Sequence, residues 1–370
     1  VKQVTGHYCE VFEDVSKPMY RILTVALGAA ATLAPAFADD PMLETVLVTG
    51  TLAPTVEMTS SVSVLDRSTI RDWNKRELTE LLQTRPGLLV EEQGGPGGLA
   101  GVSIRGGETN FTLVLLDGVP VNDPTNARGG SFDFANLDTS LVDRIEIVRG
   151  AQSAVYGSDA LAGVINIITR RPAEGHSQSI SAELGQDEFS HLGLSALGRE
   201  GAFDYTVELA TRDDGDALPG SRRDNDSANL RLGWSGDGGH RLSAAYRFLD
   251  GERSSYPEQG GGPEYSVTDE LEYSDYQENV LALVWEYRVA ASWMSTLRGS
   301  RFEREEELES PGIFPYGEIP PTYSDSDFTR DELRWVNTLE LGGSSRLNVG
   351  ADYRSEDGDS RGYLDFGVEI

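Results

Sequence analysis

Beyond Pro172 the chain is written in period two. Phe203, Tyr205, Val207 and Leu209 alternate with polar or charged neighbours, as do Leu230, Leu232 and Trp234, and Leu242, Ala244, Tyr246 and Phe248. Leu281, Leu283, Trp285 and Tyr287 continue the pattern, followed by Leu333 and Trp335, then Leu347, Val349, Ala351 and Tyr353. Alternation of this kind gives a strand one apolar and one polar face. The connections are sorted by length. Gly198 to Gly201, Gly236 to Gly239, Ala290 to Ser292 and Gly342 to Ser344 are short, whereas Asp213 to Asp226, Asp250 to Asp275 and Glu303 to Asp327 are long and polar. Short turns at one end and long loops at the other mark a bacterial transmembrane β-barrel, and a soluble sandwich has no reason to sort its loops.

Composition narrows the classes further. The net charge of −30 argues against nucleic acid as a partner, because phosphate binding draws on Lys and Arg. An acidic surface suits cations instead. Hydrophobic residues make up 38% of the chain, and no run reaches the roughly 18 apolar residues of a spanning helix. The one cysteine, Cys9, lies ahead of the expected mature start, which leaves no disulfide or thiolate site beyond it. Residues 1–38 read as an upstream extension and an export signal. Arg21 supplies charge, Ile22 to Leu33 is a short apolar run, Ala36-Phe37-Ala38 is a small-x-small cleavage pattern, and Met19 is a natural start.

Residues 39–60 contain one short β-prone stretch, Glu44 to Thr51, with no neighbouring partner strand. Unpaired backbone groups there either dock as an edge strand or are left free for another chain. Residues 61–172 mix strand and helix signals. Ser61 to Leu65 reads as a strand, and Ser68 opens a helical stretch with Leu78, Leu81 and Leu82 on one face, stopped by Pro86-Gly87. Strands follow at Leu88 to Glu91, Val102 to Arg105, Leu113 to Leu116, Arg144 to Val148 and Val164 to Thr169.

Several pieces of this segment carry a resemblance: Arg85-Pro86-Gly87, Ile104-Arg105-Gly106, Leu116-Asp117-Gly118-Val119, Arg144 to Gly150, and the small-residue turn Ala151 to Gly163 running into Val164 to Thr169. In order and spacing they resemble the plug domain of TonB-dependent outer-membrane receptors, and the run Ser153 to Asp159 is most like the vitamin B12 (cobalamin) receptor subgroup. Ala151 departs from the Pro that often follows Arg-Gly in the family. The fold class implied is an α+β plug domain followed by antiparallel transmembrane β-barrel strands. Residues 173–370, at about ten residues per crossing plus connections, hold roughly nine strands. The family's barrel has more than twice that number, and an open edge in lipid leaves backbone groups unsatisfied. Phe366 to Ile370 stop in mid-pattern. The expectation is therefore an incomplete barrel, a fragment or a prematurely ended gene product.

The resemblance implies sites as well. Thr45, Val46, Leu47, Val48 and Thr49 would be the TonB box, pairing with TonB, and its inner-membrane energising complex, by strand addition. The plug apex would touch the ligand through Gln93, Gly94, Gly95, Gly97, Gly98, Leu99, Asn122 and Asp123, glycine allowing close backbone approach; a loop tip without contacts is the alternative. Arg105, Glu146 and Arg149 would face the barrel in plug–barrel ion pairs. Asp213, Asp214, Asp216, Asp224 and Asp226 form an oxygen-rich cluster suited to Ca2+, although Arg222 and Arg223 inside it could neutralise it. Glu305 to Glu309 reads as a solvated face.

Catalysis has no comparable support. His176, His191 and His240 are scattered, no Ser sits in a G-x-S-x-G elbow, and Gly94 to Gly98 lacks the Lys-Ser/Thr of a phosphate loop. The implied activity is import of a scarce, bulky nutrient across the cell outer membrane of a Gram-negative bacterium. Cobalamin is the first expectation, with a ferric siderophore, or surface binding without transport, as alternatives.

Overall fold

The computed structural model describes residues 61–75, 77–92, 97–126, 129–172, 174–257, 270–311, 320–341 and 345–364. The stretches expected to be an export signal and a TonB box lie outside them. All of the described residues belong to one compact unit.

The first part is a small α+β domain. β1 (Ser61–Leu65) leads into α1 (Arg67–Trp73) and α2 (Leu78–Gln83), then β2 (Leu88–Glu92), β3 (Ala100–Ile104), β4 (Thr112–Leu116), β5 (Val119–Pro120), β6 (Val142–Arg149), the single turn α3 (Ser153–Tyr156) and β7 (Gly163–Thr169). Five strands make one sheet in the order β1-β6-β7-β4-β5, parallel only between β4 and β7, while β2 and β3 pair separately. The α1 N-cap is Asp66 rather than the expected Ser68. The Asp66 carboxylate lies 2.8 Å from the Thr69 amide and holds the Ser68 hydroxyl too, so the acidic side chain takes the exposed donor of the first turn. Leu78, Leu81 and Leu82 of α2 are fully buried with Ile145, Ile147, Ile165 and Ile167 of the sheet. Gly163 opens β7 where a Cβ would collide with the Val148 carbonyl, which explains why the small-residue turn ends on glycine.

The second part is a wall of nine antiparallel strands: β8 (Gly175–Leu184), β9 (Ser190–Glu200), β10 (Phe203–Asp213), β11 (Arg222–Gly236), β12 (His240–Ser255), β13 (Glu272–Ala290), β14 (Trp293–Ser310), β15 (Thr322–Glu340) and β16 (Arg346–Leu364). Each pairs with its sequence neighbour, and among the described residues the sheet is open, with β8 and β16 at its edges. The strand number and the α+β-plus-barrel class agree with the sequence reading.

The long connections do not. β10 and β11 pair up to Asp213 opposite Asp224, β12 and β13 up to Ser255 opposite Glu272, and β14 and β15 up to Ser310 opposite Thr322. Among the described residues of these connections, only 214–221, 256–257, 270–271, 311 and 320–321 lie outside strands. A strand needs about 9–11 residues to cross a bilayer, and β13, β15 and β16 have 19 each. Where the sheet projects into water both of its faces turn polar, which erases the apolar alternation without ending the backbone ladder.

The polarity of the wall is inverted relative to a soluble protein. Leu232, Leu242, Leu283, Trp285, Leu333 and Trp335 are exposed on its outer side, while Glu208, Arg223, Arg247, Glu278, Arg304 and Arg330 are buried on its inner side. No described helix is long and apolar enough to cross a membrane; the exposed apolar strand face is what a lipid-facing barrel wall requires. At the short-turn end, His240, Trp285 and Tyr287 stack across β12 and β13, with the His240 and Tyr287 rings 4.3 Å apart. Trp293 and Trp335 donate to Asn337 and Ser295 nearby. Aromatics at this level form the girdle of a membrane interface. Toward the long-loop end the outer side turns charged, with Arg301 paired to Glu303 and Asp331.

Candidate functional site between plug and wall

The α+β domain seats against the inner side of the wall through a buried ionic cluster. Asp133 is its hub. Its Oδ1 accepts from the Ala135 and Ala100 amides at 3.1 and 3.0 Å, fixing two turns of the plug. Its Oδ2 accepts from Arg223 Nη1 on β11 at 3.2 Å and Arg253 Nη1 on β12 at 3.0 Å. Arg223, 1% exposed, also donates to Asn136 Oδ1 and to the carbonyls of Gly97 and Gly98.

The cluster continues along the wall. Arg253 reaches Glu306 at 2.7 Å, and Ser274 donates to the same oxygen at 2.6 Å. Arg304 bonds both Glu306 and Glu278 and lies 3.6 Å from Asp123 of the plug. Arg247 spans Glu278 and the Asn136 carbonyl. Tyr276 sits between Arg253 and Arg304, its ring 5.8 and 5.5 Å from their guanidinium carbons. Taken alone, this part of the wall sets Arg223, Arg247, Arg253 and Arg304 against only Glu278 and Glu306; Asp123 and Asp133 of the plug restore the balance. Buried charge is tolerated only when paired and hydrogen-bonded, so the plug is an electrostatic component of the wall.

Further pairs ring the interface. Asp138 meets His191 at 2.7 Å, Arg170 meets Glu208 at 3.1 Å, Asp159 meets Arg354 at 3.0 Å, and Arg330 donates to the Asn122 carbonyl at 2.8 Å. Burial alone would raise the Asp138 pKa, but the His191 hydrogen bond and charge, with Ser140, hold it below the usual aspartate value. Asp123 goes the other way: burial raises it against the Thr125 hydrogen bonds and Arg304. The seat is not wholly polar, since Val280, Ala282, Phe302 and Phe328 of the wall join the apolar cluster that contains Phe132 and Phe134 of the plug.

The expected site residues are distributed unevenly. Gln93, Gly94 and Gly95 lie outside the described residues. Gly97 and Gly98 give their carbonyls to Arg223, Leu99 is half-buried, and Asn122 and Asp123 are each 3% exposed. The Asn122 side chain bridges Val114, Thr112 and Gly130 within the plug.

Among the described residues, the three charges expected to pair plug and barrel make no ion pair with the wall. Glu146 accepts from Arg144 and Asn166 inside the plug, Arg149 donates to the Pro86 carbonyl and Ser63, and exposed Arg105 sits at the end of β3 with φ of 54°. Glu146 and Arg149 belong to the strand next to β7 and are spent on the plug's own sheet.

In the acidic cluster, Arg222 lies 2.6 Å from Asp213 and 2.9 Å from Asp224, and Arg212 holds Asp214. Asp216 accepts from the Gly220 amide and Asp226 stands opposite Thr211. Among the described residues no group of three or more His, Cys, Asp or Glu is placed to hold a metal ion. Arg253, Arg304 and Glu306 escaped the sequence reading, and Arg223 entered it only as a charge within the acidic cluster. Glu306 in particular lies in the stretch read as solvated, yet it is 8% exposed. The signal available was parity: odd positions Leu281, Leu283 and Trp285 face outward, so Glu278 faces in, and its register partner Arg304 shares that side.

Comparison with known proteins adds four findings. The family model described as TonB-dependent Receptor Plug Domain matches residues 54–164. The vitamin B12 transporter BtuB of Vibrio cholerae serotype O1 is 35% identical over 158 residues, covering 42% of this chain and 25% of the relative. The FpvAI–pyocin S2 complex overlaps 84% of this chain and 43% of its own, at TM-score 0.73 and 15% identity. The siderophore receptor PiuA from Acinetobacter baumannii overlaps 86% and 49%, at 0.68 and 16%. The chain spans about a quarter of the length of the curated relative it matches and under half of each solved receptor.

Proposed function

We propose that this chain, which carries the plug domain and barrel-wall fold of the TonB-dependent receptors, serves in the outer membrane of a Gram-negative bacterium to import cobalamin. The observation that carries the reading is the 35% identity to a vitamin B12 transporter. The two solved structures, one of them a siderophore receptor, match in fold at 15–16% identity, which speaks to architecture and not to cargo.

In this reading the ligand is captured at the long-loop end, and Thr45 to Thr49 pair with TonB by adding a strand to it. Force then draws on the plug. The contacts it must break are the pairs of Asp133, Asp123, Asp138 and Asp159 with wall residues, and water entering behind a moving plug can replace these hydrogen bonds one by one. No covalent chemistry on the cargo is involved, so the chain acts as a receptor and not as an enzyme.

The test is equilibrium titration of the protein in detergent with cyanocobalamin and, separately, with a ferric siderophore. Saturable cobalamin binding alone is expected. Saturable siderophore binding alone moves the cargo to the second class, and saturation by neither removes the import reading.

A further inference from the structure

Six of the arginines on the inner side of the wall are satisfied by carboxylates. Arg223 has Asp133, Arg247 has Glu278, Arg253 and Arg304 have Glu306, Arg330 has Glu356 and Arg354 has Glu332. Two are not. Arg298 on β14 and Arg334 on β15 stand directly opposite each other in register, and neither has a carboxylate within ion-pair distance among the described residues. Like charges directly opposite across a ladder are destabilising; at Arg298 the charge of the nearby Asp117 carboxylate works against that repulsion without coming within ion-pair distance.

The surroundings leave the pair open to an outside anion. Arg298 lies against the plug backbone at Gly118, where a Cβ would overlap its guanidinium. The neighbouring Asp117 carboxylate is already taken by the Thr169 amide and hydroxyl, at 3.2 and 2.6 Å. Arg334 lies over the Tyr156 ring, 5.7 Å from its centroid. Asp352 faces Arg334 in register but is exposed and makes no ion pair with it. Arg231, also on the inner side, has a buried Nε without a partner, beside a cavity of about 20 Å3 that Asp117 helps to line. Both Arg298 and Arg334 are half-buried.

We propose that Arg298 and Arg334 form an oxyanion subsite on the inner side of the wall, which takes a phosphate or carboxylate group. Guanidinium forks bind such groups bidentately, and one bridging oxyanion turns a repulsive pair into two charge-assisted contacts. The subsite lies nearer the short-turn end than Arg304 and Arg330 on the same strands, whose charges are matched. Resting on the import reading, its role is to receive an anionic group of the cargo after the plug has moved.

The test uses the full chain in detergent at low ionic strength, with inorganic phosphate as the probe. Phosphate should bind saturably and raise the thermal midpoint. In the Arg298→Gln/Arg334→Gln double variant the phosphate affinity should fall about tenfold or more. Arg301→Gln, on the outer side, should leave phosphate binding unchanged. The subsite is overturned if the parent shows no saturable binding, if the double variant binds as tightly as the parent, or if Arg301→Gln weakens binding equally. Failure of nutrient uptake with phosphate binding intact would strike the import reading alone, and loss of the phosphate effect with uptake intact would strike the subsite alone.

Discussion

Asp133 and Arg223 join the plug to the wall across 90 residues of sequence, carboxylate to guanidinium at 3.2 Å, both almost wholly buried. The same carboxylate orders two plug turns and serves Arg253. Charge on the wall and shape in the plug are thereby tied to one side chain.

Asp133→Asn should therefore cost more than an ordinary buried polar change. It keeps the turn-capping oxygen but leaves Arg223 and Arg253 short of a counter-charge, and breaking a buried pair from one side costs about 3–5 kcal/mol. Hydrogen exchange of Ala100–Ile104 amides should accelerate markedly, with wall amides of β13 and β14 little changed. Equal acceleration of both would mean that the plug has no separate seat.

The Asp138–His191 contact gives a pH dependence of defined sign. Because the Asp138 pKa is held below the ordinary aspartate value, its stabilising contribution is complete above about pH 4 and is lost as pH falls through the lowered value. Asp138→Asn should flatten the acid limb of plug stability below that range and leave the neutral region nearly flat. Asp123, raised by burial, has the opposite sign, its ionised form being the disfavoured one, so Asp123→Asn should not flatten the acid limb. Thermal midpoints measured from pH 7 to pH 3 separate the two.

How much of this was legible in the sequence follows from range. Strand polarity is local, and Leu281, Leu283 and Trp285 announced an outward face with no knowledge of the fold. Burial of Leu78, Leu81 and Leu82 was equally local. The lock was not, because Asp133 meets Arg253 over 120 residues and no spacing rule reaches that far. Arg105, Glu146 and Arg149 were chosen by resemblance, and the structure spends Glu146 and Arg149 inside the plug. The long loops were overdrawn for a physical reason: a sheet in water keeps its ladder after its apolar stripe has ended.

Calcium and Arg222 compete for the same oxygens. Arg222 occupies Asp213 and Asp224, so Ca2+ binding at this cluster requires it to leave. Arg222→Gln should tighten Ca2+ binding about tenfold or more, measured by calorimetry. An unchanged affinity removes these aspartates as ligands.

The outer side of the wall should behave as lipid-facing. Leu283→Arg, at an exposed apolar position of β13, should destabilise the wall in bilayers by about 2–4 kcal/mol. Glu307→Arg, exposed on β14 toward the long-loop end, should have little effect. Folded yield in lipid vesicles, read by protease protection, makes the comparison.

Movement of the plug relative to the wall is the claim on which the import account turns. Thr125 of the plug lies against Gly358 of β16, where a Cβ built on the glycine comes 2.7 Å from Thr125 Cγ2, so the Thr125→Cys/Gly358→Cys pair suits a disulfide. Cobalamin uptake by cells producing this double variant, assayed oxidised and then reduced, is the most direct measurement. Uptake should be blocked in the oxidised cells and restored by reductant; equal uptake in both states would contradict a displaceable plug.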